Sequence, residues 1–232
     1  FNIANIVMNS SASIDQKIDA HRQLQSLFGT AQIGYKEKIF LDLTARNDWA
    51  STLSHTTHEK SGFAYPSAGL SILLDKWVKM PEWVSFAKLR GAYSKVGNDI
   101  PPHITNPSSH VNAGGEMQAN DAAPFREMEP EMTHAIEFGT EWRFFQHRLG
   151  VNLTYYRTNT YNQFFKLPAL AGDVFAFRYV NAGNIQNRGW EVTLNATPVL
   201  TSDFSWKTSL NFSSNKNKIV KLHDDLQEMV YG

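Results

Sequence analysis

Cysteine is absent from the 232-residue chain, and with it go thiol catalysis, disulfide frameworks and cysteine-ligated zinc. Charge is scarce too. Asp, Glu, Lys and Arg make up 19% of residues, and 22 cations balance 22 anions to a formal net charge of zero. A neutral chain offers no basic footprint, so nucleic acid is excluded as a partner. Helical periodicity is nearly missing, and no apolar run approaches the ~20 residues of a membrane-spanning helix. No leader with a basic segment and apolar core opens the sequence; Phe1 stands in what reads as a strand over residues 1–11. The chain reads as a piece of a longer polypeptide.

Aromatic residues and period-two alternation are abundant. There are 15 Phe, 8 Tyr and 6 Trp; a soluble protein has to bury most of these, whereas at a membrane surface Tyr and Trp form interfacial belts. Phe204, Trp206, Thr208, Leu210 and Phe212 share one face, opposite Ser205, Lys207, Ser209, Asn211 and Ser213. Trp190, Val192, Leu194 and Ala196 oppose Glu191, Thr193 and Asn195, while Ile39, Leu41, Leu43 and Ala45 oppose Phe40, Asp42, Thr44 and Arg46. Ile136, Phe138, Trp142 and Phe144 stand against Glu137, Glu141 and Arg143, and Leu149, Val151, Leu153 and Tyr155 against Asn152, Thr154 and Tyr156. Weaker strands read at 23–35, 63–74 and 86–95.

These segments run to roughly 9–12 residues, the length of a tilted membrane-spanning strand. Their connections alternate. Tight turns read at 35–38 and 145–148, with short to moderate links at 75–85 and 197–203; long ones read at 47–62, 96–133 and 158–187. Short turns at one end and long loops at the other are the mark of a transmembrane barrel, whereas long structureless loops are uncommon in compact soluble domains. Alternation alone leaves the identity of the faces open, because a small soluble barrel turns its apolar face inward. The polar rows, of Ser, Thr, Asn, Gly and paired charges, suit a wet interior, and Tyr35, Trp49, Phe144, Phe145, Phe204 and Trp206 gather near strand ends. The expected fold class is therefore all-β: an antiparallel transmembrane β-barrel portion of about eight or nine strands. Residues 1–232 form part of a single domain, with 96–133 a loop inside it. Asp42, Arg46, Lys88, Arg90, Glu137, Glu141 and Glu191 are expected to line the lumen. An antiparallel register between 86–95 and 134–144 sets Lys88 near Glu141 and Arg90 between Glu137 and Glu141.

Several short motifs then become recognisable. They are Arg46-Asn47-Asp48-Trp49 with Ser51-Thr52-Leu53, Tyr65-Pro66-Ser67-Ala68-Gly69-Leu70-Ser71, and the stretch from Leu89-Arg90-Gly91 to Gly97-Asn98. Pro130-Glu131-Met132-Thr133 follows, then Glu137-Phe138-Gly139-Thr140-Glu141, with Arg143-Phe144-Phe145 and Tyr155-Tyr156 behind it. Asn181-Ala182-Gly183-Asn184 leading to Gly189-Trp190-Glu191, and Asn215-Lys216-Asn217, complete the series. In order and spacing, over nearly the whole chain, they resemble the SusC/RagA family of TonB-dependent outer-membrane transporters. The resemblance implies a multi-pass barrel of about 22 strands, a plug domain inside it, and a TonB box that couples nutrient uptake to the inner-membrane proton gradient. It also implies outer-membrane lipid around the barrel and a SusD-like surface lipoprotein that captures oligosaccharide or peptide. No enzyme, metal or cofactor is implied. The plug, the TonB box and the closing aromatic strand of the complete family are expected outside this sequence.

Candidate chemistry is thin. His55-Thr56-Thr57-His58-Glu59 matches neither H-E-x-x-H nor H-x-x-E-H, and reads as a solvated loop. Glu137 and Glu141 are four residues apart on a strand, ~13 Å, too wide for the ~6.5–9.5 Å of an inverting glycosidase pair. Asn152-Leu153-Thr154, Asn195-Ala196-Thr197 and Asn211-Phe212-Ser213 fit the glycosylation pattern, which carries no weight in a bacterial compartment. Tyr161, Phe164, Phe165, Phe175, Phe177 and Tyr179 are read together as an extracellular loop over about Asn159 to Asn187. Ligand contact, partner contact and self-packing all remain open for them. Two other functions stand beside import: an adhesin or structural barrel without transport, and a soluble carbohydrate-binding β-sandwich. Detergent dependence separates the sandwich, and a plug with a TonB box separates the adhesin.

Overall fold

The computed structural model describes residues 21–107, 109–111, 115, 117, 118, 120–169 and 172–222. The strand expected at 1–11 lies outside them. In chain order the strands are β1 (Leu24–Tyr35), β2 (Ile39–Ala50), β3 (Phe63–Leu73), β4 (Val84–Asn98), β5 (His110–Val111), β6 (Met117–Gln118), β7 (Glu131–Phe144), β8 (Leu149–Pro168), β9 (Phe177–Leu200) and β10 (Ser205–Lys221). Among the described residues β5 and β6 pair only with each other. The other eight form one antiparallel sheet in the order β1-β2-β3-β4-β7-β8-β9-β10, a meander whose β1 and β10 edges are open among the described residues.

Register decides which side chains share a face. Across the sheet, Leu89 is level with Thr140, Leu153, Val192 and Phe212, and Gly91 with Phe138, Tyr155, Trp190 and Ser214. On the first strands Leu41 pairs Ile33 and Leu70, and Leu43 pairs Ala31 and Ala68. This face is apolar and uncovered: Phe138 is 60% exposed and Leu210 66%. A monomeric soluble protein rarely leaves so continuous an apolar area to water, and among the described residues no second sheet packs on it, as a sandwich requires.

The height of the apolar face matches a membrane. Eight steps along β7 separate Phe144 from Ile136, about 27 Å of strand at ~3.4 Å per residue. At a tilt of ~40° that is about 21 Å along the membrane normal, close to the ~25 Å apolar band of outer-membrane barrels. Rings mark both rims. Trp83 stacks on Phe144 at 5.6 Å at the short-turn end, and Tyr155 meets Trp190 at 4.7 Å toward the other.

The short turns are built without glycine. Lys36 and Glu37, then Phe145, Gln146 and His147, all take positive φ, as tight hairpins between right-twisted strands require. Lys38 N–H closes the first turn on Tyr35 O at 2.9 Å. The third connection expected to be long is not a loop. β8 and β9 stay paired up to Pro168 and Phe177, leaving Ala169–Ala176 as the tip. Above the membrane neither face of this hairpin meets lipid, so Thr, Asn and Gln replace the apolar row while backbone pairing continues.

The buried core sits at the long-loop end. Ala50, Leu53, Phe63, Ile100, Ile104 and Met128 cluster there, and Tyr65, Phe125, Phe164 and Tyr179 pack against them. His58–Ser61 forms one helical turn, so His58 and Glu59 lie in a short helix and not in a wholly irregular loop. Glu59 Oε2 accepts the His55 backbone N–H at 2.7 Å, and His58 Nδ1 lies 3.2 Å from Gly62 O. Both residues brace the β2–β3 connection.

Candidate functional site

The seven charged residues singled out in the sequence fall on one continuous face, opposite the apolar one. Asp42 is level with Gln32 and Gly69, and Arg46 with Phe28 and Tyr65. Lys88 faces Glu141, Arg90 faces Gly139, and Ala92 faces Glu137. Glu191 is level with Thr154 and Ser213. Arg90 thus stands between the two glutamates.

Its side chain crosses β7 to reach β8. Arg90 Nη2 donates to Thr154 Oγ1 at 2.5 Å, and its Nε lies 3.4 Å from Glu137 Oε1, an ion-pair distance without hydrogen-bond alignment. The crossing needs Gly139 beneath it, because a Cβ there would overlap Arg90 Nε and Cζ. Tyr156 lies over Gly189 in the same way, its Oη 2.6 Å from where a Cβ would stand. Glycine here is a slot for a long neighbour.

Glu141 takes a different partner from the one across the strand. Arg143 binds it from the next position on the same face, Nη2 to Oε1 at 2.8 Å and Nε to Oε1 at 3.1 Å. Side chains two apart on a strand share a face, so one strand supplies both charges. Gln32 Nε2 donates to Asp42 Oδ1 at 2.7 Å across β1 and β2. Glu137 is 46% exposed and Arg90 32%, which holds that pair to ~0.2–1 kcal/mol.

Near the long-loop end the charges are better buried. Asp48, 4% exposed, accepts Arg46 Nε at 2.7 Å, Arg46 Nη2 at 3.1 Å and Tyr65 Oη at 2.6 Å. Arg46 Nη2 also reaches Ser26 Oγ at 2.9 Å. Trp49 Nε1 donates to Lys60 O at 3.0 Å. The Arg46–Trp49 motif therefore braces three strands and ties down the loop after β2.

The six aromatic residues read as one loop cluster are dispersed. Tyr161, Phe164, Phe165, Phe177 and Tyr179 stand in β8 and β9, and only Phe175 lies in the tip. Phe164 and Tyr179 pack into the upper core, Tyr161 meets His134 edge-on at 5.2 Å, and Phe177 carries Lys166 Nζ over its ring at 4.0 Å. Four of the six thus find partners in their own chain, because the paired strands carry alternate residues to opposite faces.

Asn181 is a node that was missed in the sequence except as one letter of a motif. Its Nδ2 donates to Glu129 O at 3.0 Å and Asn162 O at 2.7 Å, and its Oδ1 accepts Glu129 N–H at 2.7 Å. Asn162 Nδ2 in turn donates to Glu129 Oε2 at 2.6 Å. Asn162 and Gly183 both have positive φ. The usable signal was the Asn-Ala-Gly-Asn run, which pairs a backbone-binding amide with a residue suited to left-handed backbone.

A one-sheet wall of membrane height, apolar on one face and hydrogen-bonded on the other, defines a portion of a transmembrane β-barrel. Residues 3–225 match the family described as TonB dependent receptor-like, beta-barrel, and the chain belongs to that family. It is an outer-membrane protein of SusC-like type. It is 34% identical over 212 residues to TonB-dependent receptor P26 of Formosa agariphila, covering 86% of this chain and 21% of that protein. TonB-dependent receptor SusC of Bacteroides thetaiotaomicron is 26% identical, over 86% of this chain and 21% of its own length. The chain thus spans about a fifth of the curated relatives it matches. Among solved structures, the RagAB peptide importer in its open-open state superposes with a TM-score of 0.82 at 22% identity, over 96% of this chain and 25% of that one. That likeness concerns the fold.

Proposed function

We propose that this chain is part of the wall of a TonB-dependent importer that takes up oligosaccharide or peptide together with a SusD-like surface lipoprotein. Its polar face, with Asp42, Arg46, Lys88, Arg90, Glu137, Glu141 and Glu191, lines the lumen, and its apolar face meets lipid. The wall performs no covalent chemistry. It supplies a wet surface of balanced charge, and TonB acts through a region outside this chain. The carrying observation is the register, which gathers these charges on one face and an apolar band of membrane height on the other. The similarity to SusC and to the RagAB importer supports the transport reading.

Leu153 and Thr193 stand on neighbouring strands near mid-height but on opposite faces. In the full-length transporter, Leu153→Arg should cost about 2–4 kcal/mol at the bilayer midplane and block insertion. Thr193→Arg should insert normally and change uptake. Equal insertion of the two variants would refute the assignment of faces. Normal growth on the cognate nutrient after deletion of the transporter and its paralogues would refute import.

A further inference from the structure

We propose that the outward face of β4 and β7–β10, at the upper edge of the apolar band, is a binding surface for a phosphate-bearing lipid headgroup in the outer leaflet. The proposal rests on the assignment of faces above. Arg157 of β8 is directly opposite Arg188 of β9, and Arg188 is directly opposite Lys216 of β10. One row higher, Lys95, His134, Asn159, Gln186 and Lys218 are level across five strands. Both rows continue the apolar face: Arg157 follows Tyr155, and Arg188 precedes Trp190, on the same sides of their strands.

Charge on this face has one sign. The five strands carry four carboxylates, Glu131, Glu137, Glu141 and Glu191, and the register places all four on the other face. Like charges directly opposite on neighbouring strands destabilise a sheet, and adjacent strands are only ~4.7–4.9 Å apart. Three cations abreast therefore favour an anion from outside these five strands. Arg157 Nε donates to Asn159 Oδ1 at 3.1 Å, a neutral amide that leaves the charge uncompensated. Arg157, Arg188, Lys216 and Lys218 are exposed.

The level selects the ligand. The Tyr155–Trp190 pair, centroids 4.7 Å apart, marks the rim of the apolar band, where aromatic rings sit at headgroup depth. Arg157 and Arg188 are two residues further up, about 7 Å along the strand, level with Ile136 at the top of the band. Long loops in these barrels are extracellular, so this is the outer leaflet. An acyl chain on Leu153, Val192 and Phe212 with a phosphate on Arg157, Arg188 and Lys216 fits both surfaces with one molecule. A free phosphate would use only half of the site.

The full-length transporter, delipidated in detergent, is titrated with diphosphorylated lipid A and bound lipid is counted by native mass spectrometry. Each Lys or Arg near an anionic membrane surface contributes about fivefold in affinity, so Arg157→Gln/Arg188→Gln/Lys216→Gln should bind ~100-fold more weakly. Arg157→Lys/Arg188→Lys should bind close to wild type, and fully dephosphorylated lipid A should bind wild type as weakly as the triple variant binds the intact lipid. Folding is checked by heat-shifted gel mobility; should the triple variant not fold, Arg188→Gln alone should lose about fivefold. Unchanged affinity in the folded variants, equal binding of the dephosphorylated lipid, or displacement by equimolar inorganic phosphate would each overturn the proposal. Leu153→Cys separates this from failure of the face assignment: labelling by a membrane-impermeant maleimide in vesicles overturns the face, and protection with unchanged lipid affinity overturns only the headgroup site.

Discussion

Gly139→Ala tests whether the slot beneath Arg90 is structural. In a strand with free space, replacing Gly by Ala gains about 0.5–1 kcal/mol. Here the new methyl would occupy the volume of Arg90 Nε and Cζ, so the guanidinium has to leave. It gives up the hydrogen bond to Thr154, about 1.5–3 kcal/mol for a charged donor, and the partly exposed pair with Glu137, ~0.2–1 kcal/mol. Thr154, 7% exposed, keeps a buried hydroxyl without that donor. The net cost is about 1–3 kcal/mol. The assay is a double-mutant cycle on the full-length barrel, unfolded by urea in lipid vesicles, with Arg90→Ala as the second change. In that background the methyl enters empty space, and Gly139→Ala should be neutral or slightly stabilising, a coupling of about 2–3 kcal/mol. Additivity within ~0.5 kcal/mol would show that the two residues do not meet and would refute the slot.

Other perturbations sort the upper region. Asp48→Ala removes the acceptor shared by Arg46 and Tyr65 and should cost about 2–4 kcal/mol in the same unfolding assay; a loss below ~0.5 kcal/mol would deny the cluster a bracing role. Asn181→Ala should accelerate protease cleavage within 99–130 while leaving heat-shifted gel mobility unchanged, and an unaltered cleavage rate would mean the tether is idle. Phe164→Ser should lower stability by about 1–3 kcal/mol, since the ring is partly buried, and Phe175→Ser by less than ~0.5 kcal/mol. Equal costs would place both rings in one environment, contrary to the packing seen.

Strands crossing the membrane were the legible part of this fold. Ile39–Ala45 and Trp190–Ala196 alternate because lipid on one side and water on the other demand different side chains at each step. The same alternation assigned Asp42, Lys88, Arg90, Glu137 and Glu191 to a shared face. It could not rank partners: Glu141 pairs along its strand with Arg143, where the register suggested Lys88, because only side-chain geometry chooses between two nearby cations. Opposite charges two residues apart, as in Arg46–Asp48 and Glu141–Arg143, were a readable signal that went unused. Above the membrane the pattern failed. Residues 158–168 and 177–187 are strands without a lipid face, so their alternation vanished and they read as loop. The packing of Phe164 and Tyr179 was not legible for the same reason, since the core cluster they join comes from distant sequence.

The two left-handed residues facing each other across the hairpin, Asn162 and Gly183, also mark a boundary for exchange between relatives. Below that level the wall obeys the bilayer, and its residues answer to lipid and register alone. Above it, Phe164 and Tyr179 share a core with Met128, and Asn181 is tied to Glu129. A chimera that grafts only the hairpin tip would strand half of that core. The upper hairpin and the 99–130 segment therefore form one cassette, and recombination that alters what the outer surface recognises has to move both together.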